Sequence, residues 1–259
     1  MRKTAVCVVG DFKFLNSYLE NFLFELRNKG KFDGDVIIIT SVLTPKFYFK
    51  WKTKDKKLTF IKRKKIKFTK NADSTLKNLN TNSQPNRHIN KPFQWQKLYV
   101  FDYELKKWDF IFYIDINMHI HYPINKVLSI YPEGKFTART DGYPEYKYKL
   151  QSQFDEKHPK NFDLLKKYDL ETKFYFQTGV MYFDTNLISK NTVNEIIGLV
   201  EEYPITKTNE QGILNLYFMY EKGVFEELLL EIDDFLVYYY WLVKNKKIII
   251  TKQLREKYK

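Results

Sequence analysis

Ala5-Val6-Cys7-Val8-Val9-Gly10-Asp11 is an apolar run that stops at a glycine and an acid. A continuous apolar run of this length is the pattern of a strand covered on both faces. Leu15, Tyr18, Leu19, Phe22, Leu23 and Leu26 follow at spacings of three and four. That spacing gathers them on one face of a helix, and Gly30 is placed to stop it. Val36-Ile37-Ile38-Ile39-Thr40 is again continuous and β-branched, as central parallel strands are. Strand, helix and strand in this order make a βαβ unit, the opening of a nucleotide-binding α/β fold.

The remainder of the chain extends this pattern. Residues 58–68 read as one further strand or two. Residues 71–90 are polar, rich in Asn, Ser and Thr and without periodicity, and are expected to form a long mobile loop. Residues 93–107 fit a helix. Phe110-Ile111-Phe112-Tyr113-Ile114 is a buried strand ending in Asp115. Residues 135–140 read as a strand, and residues 143–172 as an excursion from the sheet on the acceptor side. Residues 174–183 read as strand, a break at Gly179, and strand. Residues 187–202 and 210–220 are expected to be helical, and residues 247–251 form a last apolar strand. No repeat or linker divides the chain. The expectation is one α/β domain over residues 1–259, with a single mixed, mainly parallel sheet flanked by helices.

Composition sets the outer bounds. The 259 residues are 44% hydrophobic and 29% charged, which suits a chain with a sizeable core and argues against bulk disorder. One cysteine, Cys7, excludes an intrachain disulfide and a cysteine-built zinc site. The first apolar run is too short for a signal-peptide core, and Asp11 and Lys13 follow it at once. No stretch reaches the length of a membrane-spanning helix. The aromatic run at 235–243 reads as a core element. A reducing, cytoplasmic location is therefore expected. The net charge is +13, with the densest run at Lys62-Arg63-Lys64-Lys65. Such a run serves an anionic partner (nucleic acid, membrane or nucleotide diphosphate) or is a solvated face of a lysine-rich chain.

An open α/β sheet binds ligands at the carboxyl ends of its strands. The informative polar residues are then Gly10 and Asp11, Asp115, and Asp141, each just after an apolar run. The stretch around Asp115 continues Ile116-Asn117-Met118-His119-Ile120-His121-Tyr122-Pro123-Ile124. If the strand continues, Asp115, Asn117 and His119 share a face. A carboxylate, an amide oxygen and an imidazole there would suit a divalent ion, and a polar edge strand facing water is an equal reading.

Three ordered blocks carry a resemblance. Lys97-Leu98 precedes the strand and Asp115-Ile116-Asn117, with Tyr122-Pro123-Ile124 beyond. Phe176-Gln177-Thr178-Gly179-Val180 comes next, and Asn209-Glu210-Gln211-Gly212-Ile213-Leu214-Asn215 last. In this order and spacing they resemble glycosyltransferase family 8, the glycogenin-like and bacterial galactosyltransferase-like enzymes. The resemblance implies a GT-A fold and a nucleotide-sugar donor. Val9, Gly10 and Asp11 would frame the base. Lys97 would face the diphosphate, and Asp115 would meet the ribose and, with Asn117, a metal ion. Gln177 and Asp141 would hold the donor sugar, with Gly179 in the same donor-binding block. Gln211 would lie beneath the anomeric carbon beside Glu210. Gln211, Glu210 and Asp141 are thus the catalytic candidates. The plainer alternatives are a surface lysine at 97, polar helix or surface glutamines, and a helix-start acid at 210.

The chain departs from the family pattern at three points. Asn117 stands where the second motif Asp is expected, no histidine occurs after His158, and Gln177 replaces an Asn. The ion implied by the resemblance, Mn²⁺ or Mg²⁺, is therefore expected to bind appreciably only with the donor, whose diphosphate oxygens would complete its shell. The function expected is transfer of a hexose-type sugar, from a UDP-sugar and with retention, to an unnamed glycan or protein acceptor. Two other readings stand beside it: a degenerate transferase that binds nucleotide or glycan without turnover, and a basic nucleic-acid-binding protein, although no nucleic-acid motif is visible.

Overall fold

The computed structural model describes residues 2–83, 93–140 and 148–256. Asp141, the start of the 143–172 excursion and residues 84–90 of the expected loop lie outside the described residues. The chain opens with β1 (Thr4–Val9), α1 (Phe12–Asn28) and β2 (Val36–Ser41), as the sequence predicts. It continues through α2 (Lys46–Thr53), β3 (Leu58–Arg63) and α3 (Lys70–Ser83). After two 3₁₀ segments, Gln94–Phe101 and Tyr103–Lys107, come β4 (Phe110–Ile114), β5 (His119–Ile120), α4 (Asn125–Leu128) and β6 (Phe136–Ala138). Then follow α5 (Lys160–Lys167), β7 (Val180–Asp184), α6 (Thr192–Glu202) and α7 (Glu210–Leu216). The last strands are β8 (Phe225–Glu227), β9 (Glu231–Ile232), β10 (Phe235–Tyr239) and β11 (Lys247–Thr251).

Among the described residues the main sheet has seven strands in the order β3-β2-β1-β4-β7-β6-β8. The first four are mutually parallel, while β7 runs antiparallel to both β4 and β6. The apolar runs are continuous because both faces of this sheet are covered. Ala5, Cys7, Ile37, Ile39, Ile111 and Tyr113 join one core layer, with Leu98 and Phe101. Val6, Val8, Val36, Ile38, Phe112 and Ile114 join the other, with the α1 side chains Leu15, Leu19 and Phe22. Alternate residues of each strand thus serve opposite cores.

The ends of α1 are set by local chemistry. Asp11 Oδ1 accepts from the Phe14 amide at 2.8 Å, satisfying one orphan donor of the first turn. At the other end, the amides of Lys29 and Gly30 both donate to Glu25 O. Gly30 is required here by space: a Cβ would lie 2.6 Å from Leu26 O and 3.1 Å from Ile120 Cγ2. Gly30→Ala is therefore expected to cost about 1–3 kcal/mol, since backbone must move to relieve the overlap. Urea unfolding of the purified variant measures this, and an unchanged midpoint would contradict it.

A second sheet, not anticipated from the sequence, has four strands among the described residues, in the order β5-β11-β10-β9. Ile250 pairs with Ile120, and Thr251 with His119. This pairing brings the far end of the chain against the turn that follows β4.

Three other expectations change. Residues 70–83 are helical rather than loop: Ala72 is buried, and Leu76 and Leu79 pack on the core, a sparse apolar stripe. Residues 93–107 are two 3₁₀ segments broken at Asp102, whose carboxylate caps the second segment through the Glu104 amide at 3.0 Å. Strand β7 begins only at Val180, so residues 174–179 approach the sheet as irregular chain.

Candidate functional site

The carboxyl end of β4 delivers Asp115, and the chain turns there at once. The Met118 amide donates to Asp115 O at 2.9 Å. The turn overrides the expectation of a continued strand with Asp115, Asn117 and His119 on one face. His119 instead faces Glu25 of α1, its Nδ1 3.5 Å from Oε2. His121 Nε2 lies 2.9 Å from Thr251 Oγ1.

Lys97, on the first 3₁₀ segment, is buried and not a surface lysine. Its Nζ lies 3.2 Å from Asp115 Oδ1 and 2.8 Å from Glu210 Oε1, and donates to Thr178 O and Oγ1 at 3.3 Å. Glu210 is fully buried at the start of α7. Its Oε1 also accepts from Thr178 Oγ1 at 3.1 Å, while Oε2 makes no hydrogen bond to any described residue. The residue before it, Asn209, has φ 54° and ψ −123°, a costly conformation for a side-chain-bearing residue. It is held from two sides: Thr206 Oγ1 donates to its carbonyl, and its Nδ2 donates to Gln94 Oε1, both at 2.9 Å. This bend aims Glu210 at Lys97.

Asp115 is also shared. Tyr113 donates its hydroxyl to Oδ1 at 2.7 Å, and Lys252 Nζ lies 3.4 Å from Oδ2. The same Lys252 ammonium donates to Asn117 Oδ1. Burial pushes the Asp115 carboxyl up, but Lys97, Lys252 and the Tyr113 hydroxyl outweigh it, and the group is pulled down to about 2. For Lys97, burial opposes the charge. Asp115 and Glu210 outweigh that and hold the ammonium protonated well above the usual lysine range.

The other expected residues lie around this cluster. Gly179 O accepts the Asp115 amide at 2.8 Å, and a Cβ at 179 would fall 2.3 Å from Met118 Cε. Gln211 Oε1 accepts from the Thr178 amide at 3.2 Å, and its Nε2 donates to Gln153 Oε1 at 2.8 Å. Gln177, one residue from Thr178, turns its side chain to Tyr238, whose hydroxyl donates to Oε1 at 3.1 Å. The Gln177 amide bonds Arg139 O, two residues before Asp141. Val9 ends β1, Gly10 follows it, and Asp11 is occupied as the α1 cap. A surface cavity of about 270 Å³ opens beside Asp11, Ser41, Lys65 and Phe93, at the carboxyl ends of β1 and β2.

Lys252, Thr178 and Tyr113 are the site residues that the sequence reading missed. Lys252 had a signal: it is the first residue after the apolar run at 247–251, as Asp115 is after 110–114.

The residues also answer whether a divalent ion fits. Asp115 and Asn117 offer one carboxylate and one neutral oxygen, and an ammonium already lies against both. Among the described residues, no three His, Cys, Asp or Glu side chains gather as ligands. A hard dication needs several oxygen ligands and compensating negative charge. This donor set does not fit a resident ion.

No protein-family profile matches the chain, and no curated protein matches it. Solved structures do. An active-site mutant of LgtC superposes with a TM-score of 0.58 at 13% identity, over 86% of this chain and 72% of that one. Mouse xyloside xylosyltransferase 1 gives 0.55 at 10% identity, over 97% of both chains. The glycosyltransferase GlyE of Streptococcus pneumoniae gives 0.54 at 13% identity, over 88% of this chain.

The fold is that of the GT-A glycosyltransferases.

The chain spans 45% of GlyE. Another neighbour with the GT-A fold, core-mannan synthase A of Aspergillus fumigatus, was solved in a form with Mn and GDP, at a TM-score of 0.53 and 9% identity. LgtC was also solved with donor and acceptor sugar analogues.

Proposed function

We propose that this protein is a nucleotide-sugar-dependent glycosyltransferase whose donor lies across the carboxyl ends of β1, β2 and β4. The observation that carries this reading is the buried Lys97, held between Asp115 and Glu210 at that edge of a GT-A sheet. A preorganised cation can stabilise charge that develops on a departing diphosphate, and in a water-poor site it does so without reorganisation. The cavity beside Asp11 and Ser41 is assigned to the nucleoside of the donor, taken as a UDP-sugar. Gln177, Gln211 and Asp141 are assigned to the sugar, with the acceptor hydroxyl attacking the anomeric carbon with retention. Glycans and proteins are the acceptor classes. The residues expected to hold Mn²⁺ or Mg²⁺ do not fit a resident ion, so no step is routed through one.

A second reading is favoured by one observation. Both ends of the Gln211 amide are occupied by Thr178 and Gln153, which suits a protein that binds nucleotide or glycan without turnover. The nucleic-acid reading is weakened by the basic run itself: Arg63 is tied to Asp102 at 2.8 Å and to Glu104 at 2.7 Å. Among the described residues, no helix is long and apolar enough to cross a membrane. A cytoplasmic location is proposed on the single free, buried thiol of Cys7.

A panel of nucleotide sugars tests the proposal. One donor at about 100 times its Kd is expected to stabilise the fold by about 3 kcal/mol, seen as a raised melting temperature. The same donor should release its nucleoside diphosphate when an acceptor is supplied. A shift without release selects the binding reading, and no shift from any donor sinks both.

A further inference from the structure

We infer that Lys252 is a diphosphate-binding residue, its ammonium holding the position between Asp115 and Asn117 that a divalent ion would need. The inference rests on the donor site proposed above and assigns the cation within it.

Topology makes the placement specific. Asp115 and Asn117 sit in the turn leading directly into β5, and β5 pairs with β11. Lys252 follows β11 at once, and its amide donates to Tyr239 O at 3.2 Å, with the Gln253 amide donating to Tyr240 O at 2.8 Å. Backbone pairing on both sides thus fixes where the Lys252 stem starts. Its Nζ then meets the carboxylate and the amide oxygen together.

Charge balance follows the same logic. A dication in this turn would call for two negative ligands, and the turn supplies one, Asp115. An ammonium calls for one carboxylate and further neutral acceptors, which Asp115 and Asn117 supply. A second carboxylate at 117 would leave the lysine with surplus negative charge.

A purely structural salt bridge is the weaker explanation. Asp115 is already satisfied by Lys97 and Tyr113. A further pair at a partly exposed site adds little stability. The Lys252 side chain keeps 22% of its surface exposed, so it borders solvent where Lys97, at 8%, does not. Together the two lysines place a buried and an accessible cation on either side of Asp115, an arrangement that suits an anion carrying charge on two phosphoryl groups.

The test is calorimetric binding of UDP and GDP to the full chain, in EDTA and in Mn²⁺. Wild type is expected to bind one of them with the same Kd in both, within about threefold. Lys252→Met should weaken that binding by about tenfold or more, the scale of one charge-assisted contact, while Lys252→Arg keeps most of it. The double variant Asn117→Asp with Lys252→Met restores two carboxylates and removes the ammonium, so its nucleotide binding should become Mn²⁺-dependent. Melting temperatures of all variants check folding, and the chelator comparison on wild type needs no variant. Wild-type binding that is lost in EDTA and restored by Mn²⁺ overturns the inference and leaves the donor site standing. Lys252→Met that folds and binds like wild type overturns it as well. No binding of either nucleotide under any condition overturns the donor site itself.

Discussion

Lys97→Ala is expected to lower the unfolding free energy by about 3–5 kcal/mol, the largest loss for any single site residue. The reason is what the lysine leaves behind. Glu210 has no exposed surface, and its Oε2 already makes no hydrogen bond to a described residue. Without Lys97, its Oε1 keeps, among the described residues, only the Thr178 hydroxyl. A buried carboxylate without a counter-charge is destabilising by several kcal/mol, or it takes up a proton. Asp115 is less affected, because Lys252 and Tyr113 remain. Removing both charges together should therefore recover most of the loss. In a double-mutant cycle with Glu210→Gln, the coupling energy is expected to exceed about 2 kcal/mol. Urea unfolding of the four proteins gives the number. A single-mutant loss below about 1 kcal/mol would show that Lys97 is not paired with Glu210 in solution.

Asp115→Asn is expected to act on stability and function with separate signatures. The Asp115 carboxyl is held at about 2 against an ordinary value of 3.8. A folded-state value below the unfolded one means that the unfolded chain binds the proton more tightly. The contribution is therefore fully present above about pH 5 and lost as pH falls through 4 toward 2. It amounts to about 2 kcal/mol. Asp115→Asn should lower stability near neutral pH by about that amount and flatten the acid limb of the stability curve. An acid limb identical to wild type would refute the assignment. On the functional side, loss of Asp115 frees Lys97 and Lys252 from the geometry that aims them. Donor turnover should fall by about a hundredfold, the scale seen when one preorganised electrostatic group is removed from a reacting site. Turnover at the wild-type rate in a folded Asp115→Asn protein would remove Asp115 from the machinery.

Much of the fold was legible because its signals are local. The runs at 5–9, 36–40 and 110–114 are apolar without a break, and a strand buried on both faces needs nothing else to be recognised. Helix α1 announces itself by its three-and-four spacing, with Asp11 ready as its cap. Helix α3 was hidden because its stripe is only Ala72, Leu76 and Leu79 among Asn, Ser and Thr, and packing on the core outweighs poor propensity. The segment at 93–107 has helical spacing but breaks at Asp102, where Arg63 draws that carboxylate and Glu104 aside.

The site divides along the same line. Asp115 and Glu210 could be singled out from strand ends and ordered blocks. Their chemical state could not, since burial and counter-charge arise from segments distant in sequence. Lys97 meets Thr178 across 81 residues, and Lys252 meets Asp115 across 137. Which cation faces Asn117 depends on β11 pairing with β5, a contact that no local pattern encodes because strand pairing is chosen by the whole sheet. Residue types and strand ends are properties of neighbouring residues along the chain. The pairing of a carboxylate with one lysine rather than another is a property of the folded arrangement, and for the fully buried Glu210 the loss of its partner Lys97 is worth several kcal/mol.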